Sequence, residues 1–211
     1  MLDTSIIQEL KNRSEGFHRL SHHDKYHTER VYSLAVHIAG KEDADLDVVR
    51  AAALLHDIAR ALEDEGKITD HATEGARMAR QILKEVGFPK EKIPQVLHCI
   101  EAHRFKKGMK TKSLEAQILQ DADRLDIIGA IGIARVFTRG GWSNIPIHDP
   151  AIPPKEKYDG RSSTSVNHLR EKILRVKTTL NTATAKALAE DRHEFTQQFL
   201  DTLLKEWKAE I

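Results

Sequence analysis

The chain has 211 residues, of which 31% are charged and only 5% aromatic, and its formal net charge is +1. This length suits one domain, or one domain with an appendage, and is sufficient to bury a core. The balanced charge gives no sign of nucleic-acid binding, no apolar run approaches the roughly 20 residues needed to span a bilayer, and the single Cys99 excludes an internal disulfide.

The first third of the chain is predicted to be helical, because apolar residues recur there at helical spacing. A short amphipathic helix is expected at 6–13, and a second helix over 27–40 stops at Gly40. A third helix is expected over about 46–62. Its run Ala51–Leu55 is apolar nearly all round, which indicates a central, buried helix.

Two further helices are predicted in the middle of the chain. One covers 70–88 and should end at Gly87, since glycine is the usual residue just past a helix C-terminus. The other covers 90–105, and Pro94 fits its first turn.

The last third combines helices with one long irregular segment. The helical pattern over 113–141 has an expected break around Gly129. Residues 140–165 are rich in proline and read as a long loop, which in a compact domain is usually functional or mobile, so we expect a mobile cover or rim of the active site. Residues 166–207 read as two helices. No alternating strand pattern persists, so the predicted fold class is all-α.

The expected organisation is a single domain over residues 1–211. Its core should cover about 20–139, followed by the loop at 140–165, and the C-terminal helices of 166–211 should pack on the core. The start of the chain lacks a basic segment followed by an apolar core, so no signal peptide is expected and the predicted location is cytoplasmic.

A histidine and an aspartate, His56 and Asp57, directly follow the most apolar run of the chain. A charged pair beside a buried segment is costly unless something neutralises it, and a divalent cation does so well. Imidazole nitrogen and carboxylate oxygen are both good ligands, although neighbouring helical residues diverge by about 100°, so other helices must contribute. The candidate partners along the chain are His27, His71, His98, His103, Asp121, Asp123 and Asp126. The alternative is a buried histidine that is only hydrogen-bonded and an acidic stretch that faces solvent.

Three segments in order resemble the HD-domain metal-dependent phosphohydrolase superfamily: HTERV at 27–31, AALLHDIAR at 52–60 and LQDADRLDIIGAIGIAR at 119–135. The C-terminal stretch from His168 is similar to small stand-alone bacterial and archaeal members. The resemblance implies an HD-domain-like helical bundle, and it implies the metal ligands His27, His56, Asp57 and Asp121, with Asp123 as the second choice.

The chain departs from the two-metal branches of that superfamily. It has HDIAR where those members usually have HDIGK, and it has no HHE followed by GYP. HATEGA at 71–76 nevertheless resembles an element that supplies a second-metal ligand. His71 and His103 therefore either complete a second site or bind substrate phosphate beside one metal. We expect the latter, with one divalent ion that is Mn, Fe, Co, Ni, Mg or Zn.

The resemblance implies a metal-dependent phosphohydrolase that acts on a nucleotide or a related small phosphate ester or anhydride. The candidate catalytic residues are Asp57, Arg60 and His71. The candidate substrate-binding residues are His103, Arg104, His168 and Lys172. The alternatives are a di-iron HD-type oxygenase and a non-catalytic nucleotide-sensing module. No nucleic-acid or membrane partner is expected, and the oligomeric state stays open.

Overall fold

The structure is a computed structural model that describes residues 3–17, 25–104 and 111–211. These ranges contain α-helices and a 3-10 helix and no strand, which confirms the all-α prediction. None of the described helices is both long and apolar enough to cross a membrane. The α-helices are α1 Thr4–Glu15, α2 Lys25–Ala39, α3 Leu46–Leu55, α4 Arg60–Asp64, α5 His71–Glu85, α6 Ile93–Ala102, α7 Leu114–Leu125, α8 Gly129–Trp142, α9 Ser165–Glu171 and α10 Ala183–Trp207; the 3-10 helix is Ile173–Thr179.

The contacts within the chain define two compact units, and the boundary between them along the sequence falls within α7. The first unit ends at Asp123 and the second begins at Arg124. In the first unit, α3 packs against α1, α2, α5 and α6, and Ala51–Leu55 are all buried. The prediction of a central, buried third helix is therefore confirmed. The single-domain organisation, and the packing of residues 166–211 on the core, stay predictions.

Local sequence signals account for the ends of α5 and α6. The carboxylate of Asp70 accepts a hydrogen bond from the backbone N of Ala72 and so caps the start of α5. At the other end Gly87 takes a left-handed conformation with φ +72°, as predicted for a helix stop. Pro94 lies in the first turn of α6, as predicted. That helix ends at Ala102, and its predicted last residue lies outside the described ranges.

The third helix is shorter than predicted, because the α-helix ends at Leu55 rather than near residue 62. Residues 56–59 form turns, with a backbone hydrogen bond from Arg60 N to Asp57 O of 2.9 Å, before α4 begins. The prediction was wrong because Ile58 and Ala59 are buried and continue the apolar pattern although the backbone has left the helix. The turn places His56 and Asp57 at the end of the buried helix rather than within it.

In the second unit, α10 packs against α8 and the 3-10 helix. The predicted break around Gly129 is confirmed, since α7 ends at Leu125 and Gly129 begins α8 with φ +76°. Two hydrogen bonds join α10 to the break between α7 and α8. The hydroxyl of Thr196 accepts from Gly129 N at 2.9 Å, and Nη1 of Arg192 donates to Leu125 O at 2.6 Å.

The long loop covers 143–164 rather than the predicted 140–165, because α8 continues to Trp142 and α9 begins at Ser165. Backbone hydrogen bonds tie the loop to the start of α9, from Ser165 N to Pro146 O at 3.0 Å and from Val166 N to Ile147 O at 2.9 Å. A role of this loop as a mobile cover stays a prediction.

The left-handed backbone conformation of Gly129 leads to a prediction about stability. Gly129→Ala should lower the free energy of unfolding by about 1–2 kcal/mol, because a side chain is disfavoured in the left-handed region. The new Cβ would also lie 3.1 Å from Cγ of Arg192. Urea unfolding followed by circular dichroism measures the difference.

The matched control is Gly141→Ala, which lies in α8 where a Cβ meets no atom within 4 Å. Alanine is favoured over glycine in a helix by about 1 kcal/mol, so this variant should be as stable as the parent or more so. Equal stability of the two alanine variants would contradict the role given to Gly129.

Candidate functional site

The end of α3 orients the first histidine of the site. Nδ1 of His56 donates a hydrogen bond to Ala53 O at 2.8 Å, which satisfies one of the carbonyls that a helix end leaves open. A neutral imidazole that donates from Nδ1 carries a lone pair on Nε2. Nε2 of His56 is buried and has no hydrogen-bond partner within the described part of the chain. Nε2 of His56 is therefore a buried atom with a lone pair that can bind a cation.

Three buried residues, which we call the first triad, bring potential metal-ligand atoms together at the end of α3. They are His27 from α2 together with His56 and Asp57, and one ligand atom of each lies within 4.8 Å of the other two. Oδ2 of Asp57 lies 3.6 Å from Nε2 of His56 and 3.7 Å from Nε2 of His27. Residues 29 positions apart in the sequence thus converge on one point.

A second carboxylate reaches the first triad from α7, and it belongs to Asp123. Oδ1 of Asp123 lies 3.4 Å from Nε2 of His27. Asp121 is fully buried on the same helix. Because two residues along an α-helix differ by about 200° in direction, Asp121 and Asp123 cannot both face the triad. The contact with His27 is a reason to propose Asp123, the second choice from the sequence, as the ligand, and the choice between the two carboxylates stays a prediction.

Asp57, His71 and His103 form a second triad, also buried. Oδ1 of Asp57 lies 3.4 Å from Nε2 of His71 and 3.6 Å from Nε2 of His103, and the two Nε2 atoms are 3.3 Å apart. Nδ1 of His103 donates to Ile100 O at 2.6 Å, so its Nε2 also carries a lone pair when the ring is neutral. Asp57 thus belongs to both triads and presents one oxygen to each.

Burial and nearby charge determine the protonation of these histidines. Burial lowers the pKa of His56 to about 4 although Asp57 opposes the shift, and burial likewise lowers the pKa of His71. Burial also acts to lower the pKa of His103, but the Asp57 and Asp123 carboxylates outweigh it and raise that pKa. His56 and His71 are therefore neutral at neutral pH, which is the form that binds cations.

The first triad and Asp123 together fit a divalent cation. They supply two imidazole nitrogens and two carboxylates, and the orphaned Nε2 of His56 requires a partner that accepts its lone pair. This mixed donor set suits several divalent transition metals. Two negative charges match the charge of one such ion.

Comparison with known proteins identifies the family. A family model described as HD domain matches residues 25–128. The protein YpgQ of Bacillus subtilis is 37% identical over 190 residues, which cover 88% of this chain and 85% of YpgQ. The chain belongs to the HD domain family. The resemblance inferred from the three sequence segments is confirmed.

Solved structures are similar to this HD-domain chain along nearly all of its length. YpgQ of Bacillus subtilis in complex with ADP has a TM-score of 0.75 and 34% identity, covering 95% of this chain and 97% of that one. An HD-superfamily hydrolase from Bacillus thuringiensis has a TM-score of 0.75 and 36% identity, covering 97% of this chain and 96% of that one.

Two candidate ligands of the HD-domain chain have other partners. Nε2 of His98 accepts a hydrogen bond from the backbone N of Lys112 at 3.0 Å. Asp126 lies in the second unit, where its Oδ2 pairs with Nη1 of Arg135 at 2.5 Å. Neither residue is part of the two triads.

The predicted arginines lie beside the second triad. Nη1 of Arg60 is 3.4 Å from Nδ1 of His71, while its Nε pairs with Asp64 at 3.2 Å. Arg104 donates from Nη2 to Oε1 of Glu63 at 2.6 Å, and its Nη1 lies 3.3 Å from Asp70. Arg104 therefore has two acidic partners within the protein, which the sequence did not indicate.

Glu63 makes a contact with the second triad that the sequence did not reveal. Its Oε2 accepts hydrogen bonds from both the backbone N and Nδ1 of His71. The sequence allowed two interpretations of Glu63, a base that positions water or an ordinary surface acid, and neither indicated a contact with His71. The turn between α4 and α5 brings the two residues together, and helical periodicity carries no signal for a contact of that kind.

The remaining predicted substrate-binding residues, His168 and Lys172, lie in the second unit and face one aromatic ring. The ring centroid of His168 is 5.5 Å from that of Tyr158, and Nζ of Lys172 is 5.7 Å from the same centroid. Burial, together with Lys172 and Arg139, lowers the pKa of His168 to about 3. His168 is therefore neutral at neutral pH, and its role toward substrate stays a prediction.

Proposed function

We propose that this HD-domain protein is a metal-dependent phosphohydrolase that acts on a nucleotide or a related small phosphate ester or anhydride. The observation that carries the proposal is the convergence of His27, His56 and Asp57 beside buried helices, with Asp123 in contact with His27. Support for a nucleotide comes from the complex of YpgQ with ADP. Support for hydrolysis comes from the similar HD-superfamily hydrolase of Bacillus thuringiensis.

In the proposed site, His27, His56, Asp57 and Asp123 hold one divalent ion, whether Mn, Fe, Co, Ni, Mg or Zn. Such an ion, when bound, would lower the pKa of a water ligand so that hydroxide is available near neutral pH, and it would polarise a phosphoryl oxygen. The two carboxylates neutralise the ion. His56, held by Ala53 O, keeps its ring fixed and its Nε2 directed at Asp57, so the ligand geometry exists before substrate arrives.

The protein side chains around the second triad supply the rest of the proposed chemistry. Arg60 is partly exposed and stands beside His71, where a guanidinium stabilises the negative charge that develops on phosphoryl oxygens. Hydrolysis of a P–O bond adds a hydroxyl to phosphorus and a proton to the leaving oxygen. We assign Arg60 to charge stabilisation, and His71 and His103 to substrate and water.

The test is a panel of nucleoside mono-, di- and triphosphates with metal-reloaded protein, in which phosphate and pyrophosphate are measured separately. Pyrophosphate with a monophosphate product identifies a triphosphate pyrophosphohydrolase, and phosphate from a monophosphate identifies a phosphatase. Saturable nucleotide binding without any product would overturn the proposal and favour a sensing module. Dioxygen consumption by iron-loaded protein would favour the oxygenase instead.

The number of metal ions gives a further prediction. Protein purified, stripped with chelator, reloaded with Mn²⁺ and dialysed should retain about one equivalent per chain by elemental analysis. The second triad should hold a cation more weakly, because Asp57 is its only carboxylate and is shared with the first triad.

His71→Ala is the informative variant for the metal count. It should keep the single tight equivalent, since the first triad and Asp123 are unchanged, and it should lower kcat or raise KM. Two tight equivalents in the parent that fall to one in His71→Ala would show instead that both triads bind metal firmly. That result would also revive the oxygenase alternative.

A further inference from the structure

Three nitrogen atoms of two residues, His71 and Arg104, contact the carboxylate of Glu63. Its Oε2 accepts from the backbone N of His71 at 3.1 Å and from Nδ1 of the same residue, and its Oε1 accepts from Nη2 of Arg104 at 2.6 Å. The side chain of Glu63 is only 17% exposed. Arg104 is itself anchored by Asp70 at 3.3 Å. The Glu63 carboxylate is therefore fixed in position and directed at one ring nitrogen.

The charge state of Glu63 follows from these contacts. Burial acts to raise the pKa of Glu63, but its hydrogen bonds to His71 and Arg104 outweigh burial and lower that pKa. Glu63 is therefore ionised at neutral pH. An ionised carboxylate has no proton to donate, so the contact with Nδ1 of His71 requires that the ring nitrogen carry the hydrogen.

One neighbour competes for the same ring nitrogen. Nη1 of Arg60 lies 3.4 Å from Nδ1 of His71, and a guanidinium only donates. If Arg60 were the true partner, Nδ1 would be unprotonated and the hydrogen would be on Nε2. The Glu63 carboxylate is nearer to Nδ1 and charge-assisted, so it is the stronger partner.

The position of this single proton decides what the second triad can bind. With the hydrogen on Nδ1, Nε2 of His71 presents a lone pair 3.4 Å from Oδ1 of Asp57 and 3.3 Å from Nε2 of His103. With the hydrogen on Nε2, His71 would instead donate to Asp57 and occupy an oxygen of the shared carboxylate. Only the first form leaves both groups open to a cation or to a water proton.

We propose that Glu63 is a positioning residue whose charge holds the proton of His71 on Nδ1, and that Arg104 serves to hold Glu63. Arg104 thereby has a role within the protein instead of the substrate contact expected from the sequence. The tautomer of His71 is independent of the proposed function. Its consequence for turnover rests on that function, because the Nε2 lone pair must face the reacting groups.

The direct test is the tautomer of His71 in metal-free, ¹⁵N-labelled protein at a pH of about 8, well above the ordinary histidine pKa of about 6.5. Long-range proton–nitrogen correlation spectra distinguish a proton on Nδ1 from one on Nε2, and His71→Gln assigns the signals. The expected result for the parent is a proton on Nδ1. A proton on Nε2 in the parent would overturn the proposal without any variant.

Glu63→Gln removes the charge and preserves the shape. Because a hydrogen bond to a neutral group is weaker than one to a charged group, the fraction of His71 with its proton on Nε2 should rise about tenfold. Glu74→Gln is the matched control, since Glu74 pairs with the exposed Arg77 on the surface of α5. An unchanged tautomer in Glu63→Gln, equal to that in Glu74→Gln, would refute the positioning role.

A second measurement separates positioning from simple structural support. In Glu63→Gln, kcat should fall about 10- to 100-fold, the usual cost of losing a group that orients a metal-site histidine, while the single tight Mn²⁺ equivalent remains. Loss of that equivalent would mean that Glu63 supports the whole site rather than His71. If the parent shows the expected tautomer but hydrolyses no nucleotide, the proposed function fails and the role of Glu63 toward His71 stands.

Discussion

Asp57→Ala should lower nucleotide hydrolysis by about a thousandfold and remove most of the tightly bound metal. Asp57 provides the carboxylate shared by both triads, with Oδ2 3.6 Å from His56 and Oδ1 3.4 Å from His71. A charge at the metal site stabilises the transition state by several kcal/mol. Because each 1.36 kcal/mol corresponds to a factor of ten in rate, losing that charge should slow the reaction by about three powers of ten. Elemental analysis and product release measure the two effects separately.

Thermal unfolding in the presence of chelator serves as the control for this variant. Asp57 is buried among imidazoles, and removal of a buried anion also removes its desolvation cost. The metal-free variant should therefore unfold at or above the temperature of the metal-free parent. Full activity and full metal content in folded Asp57→Ala would refute the proposed site.

Asp123→Asn should lower the affinity for the tight metal at least about 10- to 100-fold, the range found for groups that only orient a ligand. The reason is the position of its Oδ1, 3.4 Å from Nε2 of His27. Burial acts to raise the pKa of Asp123, but His27, His56 and His103 outweigh it and lower that pKa, so the carboxylate is ionised when metal binds. Competition with a fluorescent chelator gives the affinity.

Asp121→Asn is the matched comparison, because it makes the same chemical change two residues earlier on α7. It should keep the tight metal equivalent, with any loss confined to stability because Asp121 is fully buried. If Asp121→Asn lost the metal and Asp123→Asn retained it, Asp121 would be the ligand, as the sequence motif predicts, and the proposal of Asp123 would be wrong.

The sequence could indicate the members of the first triad but not how the backbone brings them together. The apolar run Ala51–Leu55 predicted a buried helix, and the ordered segments pointed to His27, His56 and Asp57. The end of α3 at Leu55 was not predictable from periodicity, because Ile58 and Ala59 remain apolar and buried through the turns that follow. An apolar pattern predicts which residues are buried, and at Ile58 and Ala59 the residues are buried although the α-helix has ended at Leu55.

The choice between Asp121 and Asp123 shows a second limit of predicting the candidate site from the sequence. Both lie in one short acidic segment, and a motif match identifies the segment better than the residue. Only the orientation of α7 distinguishes them, because positions two apart face nearly opposite directions. The contact between Glu63 and His71 is a third example, since it depends on the turn joining α4 to α5 and leaves no periodic trace in the sequence.

The two oxygens of Asp57 make the occupants of the two triads thermodynamically linked. A charge bound at Oδ2 changes the electron density available at Oδ1, so an occupant of one triad alters the affinity of the other, and linkage requires the two effects to be equal. The factor by which a saturating nucleotide changes metal affinity must therefore equal the factor by which metal changes nucleotide affinity. If the proposed function holds, a single side chain would thus couple metal binding and substrate binding in one cooperative equilibrium.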